Sequence, residues 1–482
     1  MQSNQMTENK EIPTILIILG ITGDLTAKKV VPALFSLYKK GVLGDKFRIV
    51  GFGRKPFDNE SIKPFIADLV KAKVKDASVQ ELAGFTTLFC YQQGLFETKE
   101  SYQALKEMLT RIQQPWQQKT NRLFYLAVPP DIYQVIFENL KASGLSDVPE
   151  NSDVETRILV EKPFGSNLES AEKLDLLLGS LFSEDKIYRI DHYLAKEMVQ
   201  NILTFRFSND MFEKIWNNQF IAKIEIRAWE TLGVEQRGAF YDNVGALRDF
   251  GQNHLLQMLA LTTMEAPLDY SAHAIQLKRA QLMKTLKPLA KEDLRTHTFR
   301  AQYEGYFEIA GVKPGSKTET YFKTKTELSH PRWIGVPIYM ETGKRMAEQI
   351  KDVIVTFKHG ENCICPPGLH YTNRIFFSLE PEEAIKIEFW VKKPGLTNDM
   401  EKRSLDFMLR QASERMQYIE EYEKLLIDSI KGDQTLFVST SEVKSMWEFI
   451  DPIISAWAQN LVPLKSYKPD TNAAVIESLD LN

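Results

Sequence analysis

The chain has 482 residues, of which 43% are hydrophobic and 26% charged, so it can form two large domains or three smaller ones. Its 60 basic and 64 acidic residues give a net charge of −4, which excludes a general basic field for nucleic acid or for an anionic membrane. An anionic small molecule would therefore need a local cluster of cations.

The three cysteines, Cys90, Cys363 and Cys365, do not support a disulfide framework. We interpret Cys363 and Cys365 as small buried side chains of a strand, because no nearby Cys or His completes a four-ligand zinc site. No metal site is predicted. The apolar run 15–19 is too short to cross a bilayer and lacks the form of a signal peptide, so we expect a cytoplasmic protein.

The first part of the chain alternates between strand and helix patterns. A continuous apolar run at 14–19 is typical of a parallel strand buried on both faces, and a helical pattern at 25–37 and a strand at 47–52 follow. Further strands are predicted at 87–91, 122–128 and 157–160. We therefore predict an α/β Rossmann domain with a doubly wound parallel sheet over residues 1–190.

After residue 190 the pattern changes. Alternating segments at 222–229, 306–310 and 385–391 predict antiparallel strands, and long helices are predicted at 242–261 and 404–431. Residues 191–482 are therefore expected to form a large α+β domain with a mostly antiparallel sheet. The polar tail from residue 465 is predicted to be disordered.

The turn after the first strand has the form of a phosphate-binding site. Its glycines allow backbone N–H groups to approach an anion, and the helix that follows favours negative charge. The motif is shorter than the G-x-G-x-x-G fingerprint, so an ordinary βα turn is an equally good interpretation of it alone. The candidate nucleotide-binding residues of this turn are Gly20, Thr22, Gly23, Asp24 and Leu25.

Arg54 directly follows the second strand, where NAD sites place an acidic residue and NADP sites an arginine. With Lys55 beside it and the next acid at Asp58, the position favours a nucleotide 2′-phosphate. We therefore predict NADP in preference to NAD. A solvent-exposed pair of basic residues is the alternative, more so for Lys55.

Three further places in the chain carry polar groups suited to substrate binding or catalysis: the segments around His192 and His254, and the strand end before Lys344. In a helix, His192 and Lys196 would share a face with a tyrosine between them and could meet one phosphate, although a solvated helix start capped by Asp191 is the alternative. His254 is either a core histidine or a base, since its pKa suits proton removal near neutral pH. Lys344 follows a predicted strand and is either a ligand or a surface lysine.

Together these segments resemble the glucose-6-phosphate dehydrogenase family, from Gly20 to about Trp457. The phrases that carry the resemblance are Gly20-Ile-Thr-Gly-Asp-Leu25, Glu161-Lys-Pro-Phe-Gly165, Arg189-Ile-Asp-His-Tyr-Leu-Ala-Lys-Glu197, Gly233-Val-Glu-Gln-Arg-Gly238, Arg248-Asp-Phe-Gly-Gln-Asn-His254 and Gly335-Val-Pro337. The run around Asp191-His192-Tyr193 is the most specific of them.

The resemblance implies oxidation of glucose 6-phosphate at C1 to 6-phosphoglucono-1,5-lactone with hydride transfer to NADP, the first step of the oxidative pentose phosphate pathway. It implies His254 as the base with Asp191 as its carboxylate partner, and a homodimer or homotetramer formed through the second domain's sheet. The bond before Pro163 is expected to be cis. The remaining implied ligands are Tyr125 for the cofactor, Lys162 for both cofactor and sugar, His192, Tyr193, Lys196 and Lys344 for the phosphate, and Glu230 and Asp249 for sugar hydroxyls.

The chain departs from the family pattern at several positions, which puts the affinity for cofactor and substrate in question rather than the reaction. They are Ala27, Ala195, Glu341, Gln349 and Glu380. Two other functions stay open: a sugar or inositol dehydrogenase of the other Rossmann family with a Glu-Lys-Pro segment, and a non-catalytic NADP-binding regulator. The first would lack the Asp-His-Tyr phrase, and the second would have no need of both Asp191 and His254.

Overall fold

The computed structural model describes residues 12–147, 154–360, 371–409 and 419–481. Cys363 and Cys365 lie outside these residues. The chain divides into two units. Met1–Gly165, Glu169–His192 and Ile419–Thr440 form the first unit, and Ser166–Leu168, Tyr193–Tyr418 and Ser441–Asn482 form the second.

The strands of the described ranges, in chain order, are β1 (Thr14–Leu19), β2 (Phe47–Gly53), β3 (Phe89–Gln93), β4 (Asn121–Leu126), β5 (Thr156–Glu161), β6 (Ile187–Ile190), β7 (Ile221–Trp229), β8 (Thr298–Tyr303), β9 (Tyr321–Thr326), β10 (Ile338–Gly343), β11 (Ile350–Phe357), β12 (Arg374–Glu380), β13 (Ala384–Lys392), β14 (Met400–Met408), β15 (Phe437–Val438) and β16 (Leu464–Tyr467).

The α-helices of the same ranges are α1 (Val31–Lys39), α2 (Ile62–Lys73), α3 (Val79–Thr86), α4 (Lys99–Gln113), α5 (Tyr133–Ala142), α6 (Leu168–Gly179), α7 (Glu197–Phe207), α8 (Asp210–Glu213), α9 (Gly238–Tyr241), α10 (Leu256–Thr263), α11 (Ala272–Met283), α12 (Leu294–His297), α13 (Glu421–Lys431), α14 (Thr440–Ala458) and α15 (Ala473–Glu477). π-Helical turns at Thr26–Val30 and Leu247–Leu255 lead directly into α1 and α10.

The first unit is built on a parallel sheet with the strand order β15-β6-β5-β4-β1-β2-β3. Its six longer strands pair in parallel, and β15 adds an antiparallel edge. Every residue of β1 is buried, because helices cover both faces of such a sheet. The predicted doubly wound Rossmann sheet is confirmed, and its carboxyl-terminal strand ends form the edge where such folds bind nucleotides.

The second unit contains a nine-stranded sheet with the order β14-β13-β12-β11-β7-β10-β9-β8-β16. Neighbouring strands of this sheet pair antiparallel, except that β10 pairs in parallel with β7 and β16 with β8. The predicted α+β class with a mostly antiparallel sheet is confirmed. Among the described helices, none is long and apolar enough to span a membrane.

Several local predictions are wrong. Residues 306–308 form a 3-10 turn after Gly305 rather than a strand, and Tyr306 is buried with its hydroxyl donating to Asp242 at 3.1 Å. Residues 404–408 of the predicted helix 404–431 lie in β14, which pairs along its whole length with β13, whereas residues 421–431 form α13. Pairing between strands has overridden a helical spacing of apolar residues there.

The predicted helix 242–261 is confirmed from residue 247, where the π-helical turn leads into α10, but its start is wrong. Gly245 turns the chain there with a φ of 74°, and a Cβ at this position would lie 2.4 Å from the Glu319 carboxylate. The prediction for the tail is wrong. The tail predicted to be disordered forms β16 and α15, and Tyr467 is buried with its hydroxyl donating to the Lys344 carbonyl at 2.6 Å.

The first unit also includes residues 419–440, which the sequence assigned to the second domain. Strand β15 pairs with β6, and the buried Arg157 donates to the carbonyls of Ser429 at 2.6 Å and Ile430 at 2.8 Å. Arg157 thereby satisfies carbonyls at the C-terminal end of α13, which are otherwise left without partners.

Candidate functional site

The glycine turn after β1 requires a residue without a side chain. Gly20 has a φ of 93°, and a Cβ there would lie 2.5 Å from the Ala127 carbonyl oxygen. The Gly23 N–H donates to the Gly20 carbonyl at 2.9 Å, and the Thr26 hydroxyl donates to the same oxygen at 3.1 Å. The turn therefore brings its backbone close to the sheet edge, in the form that fits a nucleotide phosphate.

Arg54 lies at the same edge of the sheet, one residue beyond β2, and is exposed. Its loop is fixed by Tyr91, whose hydroxyl donates to the Gly53 carbonyl at 2.8 Å and to the Lys55 carbonyl at 2.7 Å. The structure therefore places Arg54 on a fixed loop at the carboxyl-terminal edge of the sheet, where Rossmann folds bind nucleotides. Tyr91 is a residue that sequence reasoning missed.

A buried carboxylate organises the end of β5. Glu161 accepts a hydrogen bond from the Tyr125 hydroxyl at 2.6 Å and another from Tyr422 at 3.2 Å. Burial raises the pKa of the Glu161 carboxyl, and the two tyrosine hydrogen bonds oppose that rise. The next bond, Lys162–Pro163, is cis, as expected. Tyr422 also stacks on His192 with ring centres 6.4 Å apart.

This network brings three predicted site residues of the first unit, Tyr125, Lys162 and His192, to one place. Glu161 and Tyr422 are its unpredicted members. Glu161 belongs to the segment 161–165, which carries part of the family resemblance, but Tyr422 lies 261 positions further along the chain. The two residues meet because α13 belongs to the first unit.

His254 and Tyr193 form the centre of the candidate site in the second unit. Their rings stack with centres 3.9 Å apart and planes at 19°, and Phe250 meets His254 edge-on at 5.4 Å. His254 is 1% exposed. Residues 192–195 form a 3-10 turn, and α7 starts at Glu197, so the predicted helical spacing of His192 and Lys196 is wrong. Lys196 nevertheless has its Nζ 5.4 Å from the centre of the Tyr193 ring.

Lys344 is held between two carboxylates. It contacts Glu230 directly, lies 3.7 Å from Asp249 Oδ2, and keeps only 13% of its side chain exposed. Its Nζ also faces the rings of Tyr241 at 5.6 Å and Phe250 at 5.4 Å. These contacts exclude a surface lysine on a hairpin and join the predicted sugar and phosphate ligands in one cluster.

Asp191 belongs to the first unit and is 1% exposed, whereas His254 belongs to the second unit. The pairing of this carboxylate with the histidine stays a prediction.

Of the departures from the family pattern, Glu341 is buried in β10 and accepts a hydrogen bond from the Tyr321 hydroxyl at 2.7 Å. Gln349 and Glu380 contact each other, with 2.6 Å between the Gln349 Nε2 and Glu380 Oε2 atoms.

The fold and the site define a protein with a Rossmann-type nicotinamide-nucleotide unit and an α+β unit that carries a lysine-rich cluster around a buried histidine. Comparison with known proteins narrows this class. Residues 17–201 match the domain described as glucose-6-phosphate dehydrogenase, NAD binding domain, and residues 203–478 match its C-terminal domain.

Relatives match over nearly the whole chain. The glucose-6-phosphate 1-dehydrogenase of Borreliella burgdorferi is 37% identical, covering 92% of each chain, and that of Bacillus subtilis is 35% identical, covering 96% of this chain and 95% of its own. A solved structure of glucose-6-phosphate dehydrogenase in complex with its substrate glucose-6-phosphate is similar with a TM-score of 0.88 and 32% identity, covering 97% of both chains. The chain belongs to the glucose-6-phosphate dehydrogenase family.

Proposed function

We propose that this protein oxidises glucose 6-phosphate at C1 to 6-phosphoglucono-1,5-lactone and passes the hydride to NADP, in the cytoplasm. The observation that carries the proposal is the contact set of the second unit, in which the family's base His254 stacks on Tyr193 beside Lys196, while Phe250 links His254 to Lys344. Family membership over the full length supports it.

In the proposed mechanism His254 removes the proton from the C1 hydroxyl, and Asp191 orients the imidazole and stabilises its charged form. The bound nicotinamide supplies the acceptor for the C1 hydride. Lys162 would contact both sugar and nicotinamide when they bind, and the Tyr125 hydroxyl donates to the carboxylate of Glu161, the residue that precedes Lys162. Removing the base is expected to cost about two to four orders of magnitude in rate.

The substrate's phosphate is proposed to be bound by His192, Tyr193, Lys196 and Lys344, and its sugar hydroxyls by Glu230 and Asp249. Several cations suit a phosphate dianion because charge-assisted hydrogen bonds are stronger than neutral ones. Since the phosphate is remote from C1, its binding energy can orient the reacting carbon.

The turn of Gly20, Thr22, Gly23, Asp24 and Leu25 is the proposed site of the cofactor's pyrophosphate. A Cβ at Gly20 would clash with the Ala127 carbonyl, so only glycine allows this tight turn before the helix. Arg54 supports a preference for NADP, since a guanidinium can bind a 2′-phosphate in two parallel hydrogen bonds.

The deciding experiment follows NADPH absorbance with purified protein, glucose 6-phosphate and NADP, with free glucose and NAD as parallel controls. A fast rise that needs both the phosphate and NADP is expected. NADP binding without any rise would favour the non-catalytic regulator and overturn the proposal.

A further inference from the structure

A second lysine extends the cation cluster beyond the residues identified from the sequence. Lys351 lies in β11, and its side chain is 10% exposed. Its Nζ is 3.0 Å from Glu380 Oε1, 4.0 Å from Glu230 Oε1 and 5.8 Å from the centre of the Tyr193 ring. It therefore adjoins both a proposed sugar ligand and a proposed phosphate ligand.

Glu380 is the counter-ion that fixes Lys351 in this position. Gln349 donates to Glu380 Oε2 at 2.6 Å, and its own Oε1 accepts from the Thr231 N–H at 3.2 Å. Gln349 and Lys351 are two residues apart at the start of a strand, so both side chains lie on one face and reach the same carboxylate. Burial alone would raise the pKa of Glu380, but the Gln349 hydrogen bond and the charges of Lys351 and Lys196 hold it below its usual value.

Acidic and basic side chains alternate across this part of the second unit. Lys344 contacts Asp249 and Glu230, Lys351 contacts Glu230 and Glu380, and the charge of Lys196 acts on Glu380. The three lysines and three carboxylates balance. Each carboxylate lowers the positive potential that these lysines present to a phosphate dianion, and Glu380 is the one carboxylate of the three to which no sugar contact is assigned.

We propose that Lys351 is a ligand of the substrate's phosphate group, and that Glu380 is the counter-ion it leaves when the phosphate binds. This deepens the proposed function and rests on it. Lys351 then supplies a cation in a site where the neighbouring Gln349 supplies none, and it favours a phosphorylated sugar over a free one.

The test compares Lys351→Met with wild type for the KM of glucose 6-phosphate and for competitive inhibition by inorganic phosphate. One lost charge-assisted contact is expected to raise both constants roughly 10- to 100-fold, with kcat and the KM of NADP little changed. Lys351→Arg keeps the charge and is expected to recover part of the loss. Lys358→Met, which removes an exposed lysine just beyond the far end of β11, is the matched control and keeps wild-type constants.

Glu380→Gln removes the competing charge and keeps a polar side chain beside Gln349. It is expected to lower the KM of glucose 6-phosphate, and to give no such gain in the Lys351→Met background, because the two residues act as one unit. A raised KM in Glu380→Gln, or the same change in both backgrounds, overturns the counter-ion role.

An unchanged KM in correctly folded Lys351→Met overturns the phosphate contact, as does a raised KM with unchanged inhibition by inorganic phosphate. These results leave the proposed function intact, since wild type still reduces NADP. If wild type forms no NADPH, the proposed function has failed, and calorimetric titration with inorganic phosphate then decides the role of Lys351. Equal affinity in wild type and Lys351→Met overturns it, and weaker binding by the variant supports it.

Discussion

His254 is 1% exposed, and the rings of Tyr193 and Phe250 pack against its imidazole. We expect His254→Asn to lower kcat by roughly 100- to 10,000-fold while the dissociation constant of NADP changes little. Steady-state rates and equilibrium nucleotide titration measure the two quantities.

The matched control is His273→Asn, which changes an exposed histidine of α11. It is expected to keep wild-type turnover. A His254→Asn variant with near wild-type kcat would remove His254 as the base, and an equal loss in both variants would point to folding rather than chemistry.

Arg54 is exposed and stands at the edge where the sheet presents its carboxyl-terminal strand ends. We expect Arg54→Ala to raise the KM of NADP by roughly 10- to 100-fold, because a charge-assisted contact to the 2′-phosphate is lost, and to alter the KM of NAD much less. Initial rates with each nucleotide measure the ratio. Equal effects on NADP and NAD would contradict a 2′-phosphate contact.

At the scale of single elements, the glycine turn and the strands of the first unit could be predicted because their signals are local. Strand β1 is a continuous apolar run, and Gly20 must take a positive φ against Ala127. The hydrogen-bond network at Glu161 could not be predicted from local sequence signals. Its donor Tyr422 comes from a helix that looks, in sequence, like part of the second domain, and it is placed by long-range packing of α13 in the first unit.

The same contrast holds in the second sheet. Strand β13 is rich in β-branched and aromatic residues and was predicted, whereas β14 carries charged and exposed residues on an edge and resembles a helix. The π-helical turn that carries His254 also has no sequence signal of its own. The proximity of Tyr193 and His254 had a local signal in each of their segments, but that of Lys351 did not, because its position depends on the packing of β11 against Glu380.

The buried Glu341 of β10 makes the stability of this sheet depend on pH. Burial raises its pKa above the ordinary value of 4.5, although the charge of Lys323 and the hydrogen bond from Tyr321 oppose the rise. The unfolded chain therefore releases this proton at lower pH than the folded chain does. The group's contribution is fully present below pH 4.5 and is lost as pH rises through the raised folded value.

We expect Glu341→Gln, which cannot titrate at this position, to lose less thermal stability than wild type between pH 5 and pH 8. Glutamine still accepts the Tyr321 hydrogen bond, so the comparison isolates the ionisation. Thermal midpoints across that range measure it, with the exposed Glu327→Gln as control. A constant difference between wild type and Glu341→Gln at all pH values would contradict the prediction.

For the whole molecule, the homodimer or homotetramer that the family resemblance implies would need an apolar surface on the large sheet. Leu405 and Phe407 of edge strand β14 are 63% and 60% exposed. They lie opposite Ile387 and Ile385 of β13, so they share one face of the sheet with them. An exposed apolar face on the last strand of the sheet, as the described residues form it, is a typical site for association.

We expect the double variant Leu405→Lys, Phe407→Lys to shift the protein to a smaller species at the same concentration, because like charges would meet across a symmetric interface. Light scattering behind size exclusion measures the mass. Leu268→Lys, at an apolar residue that is 95% exposed elsewhere in the second unit, should leave the mass unchanged.

Since His254, Lys344 and Lys351 all lie within one chain's second unit, the smaller species should still bind glucose 6-phosphate. Loss of binding together with dissociation would instead show that the site depends on the assembled protein.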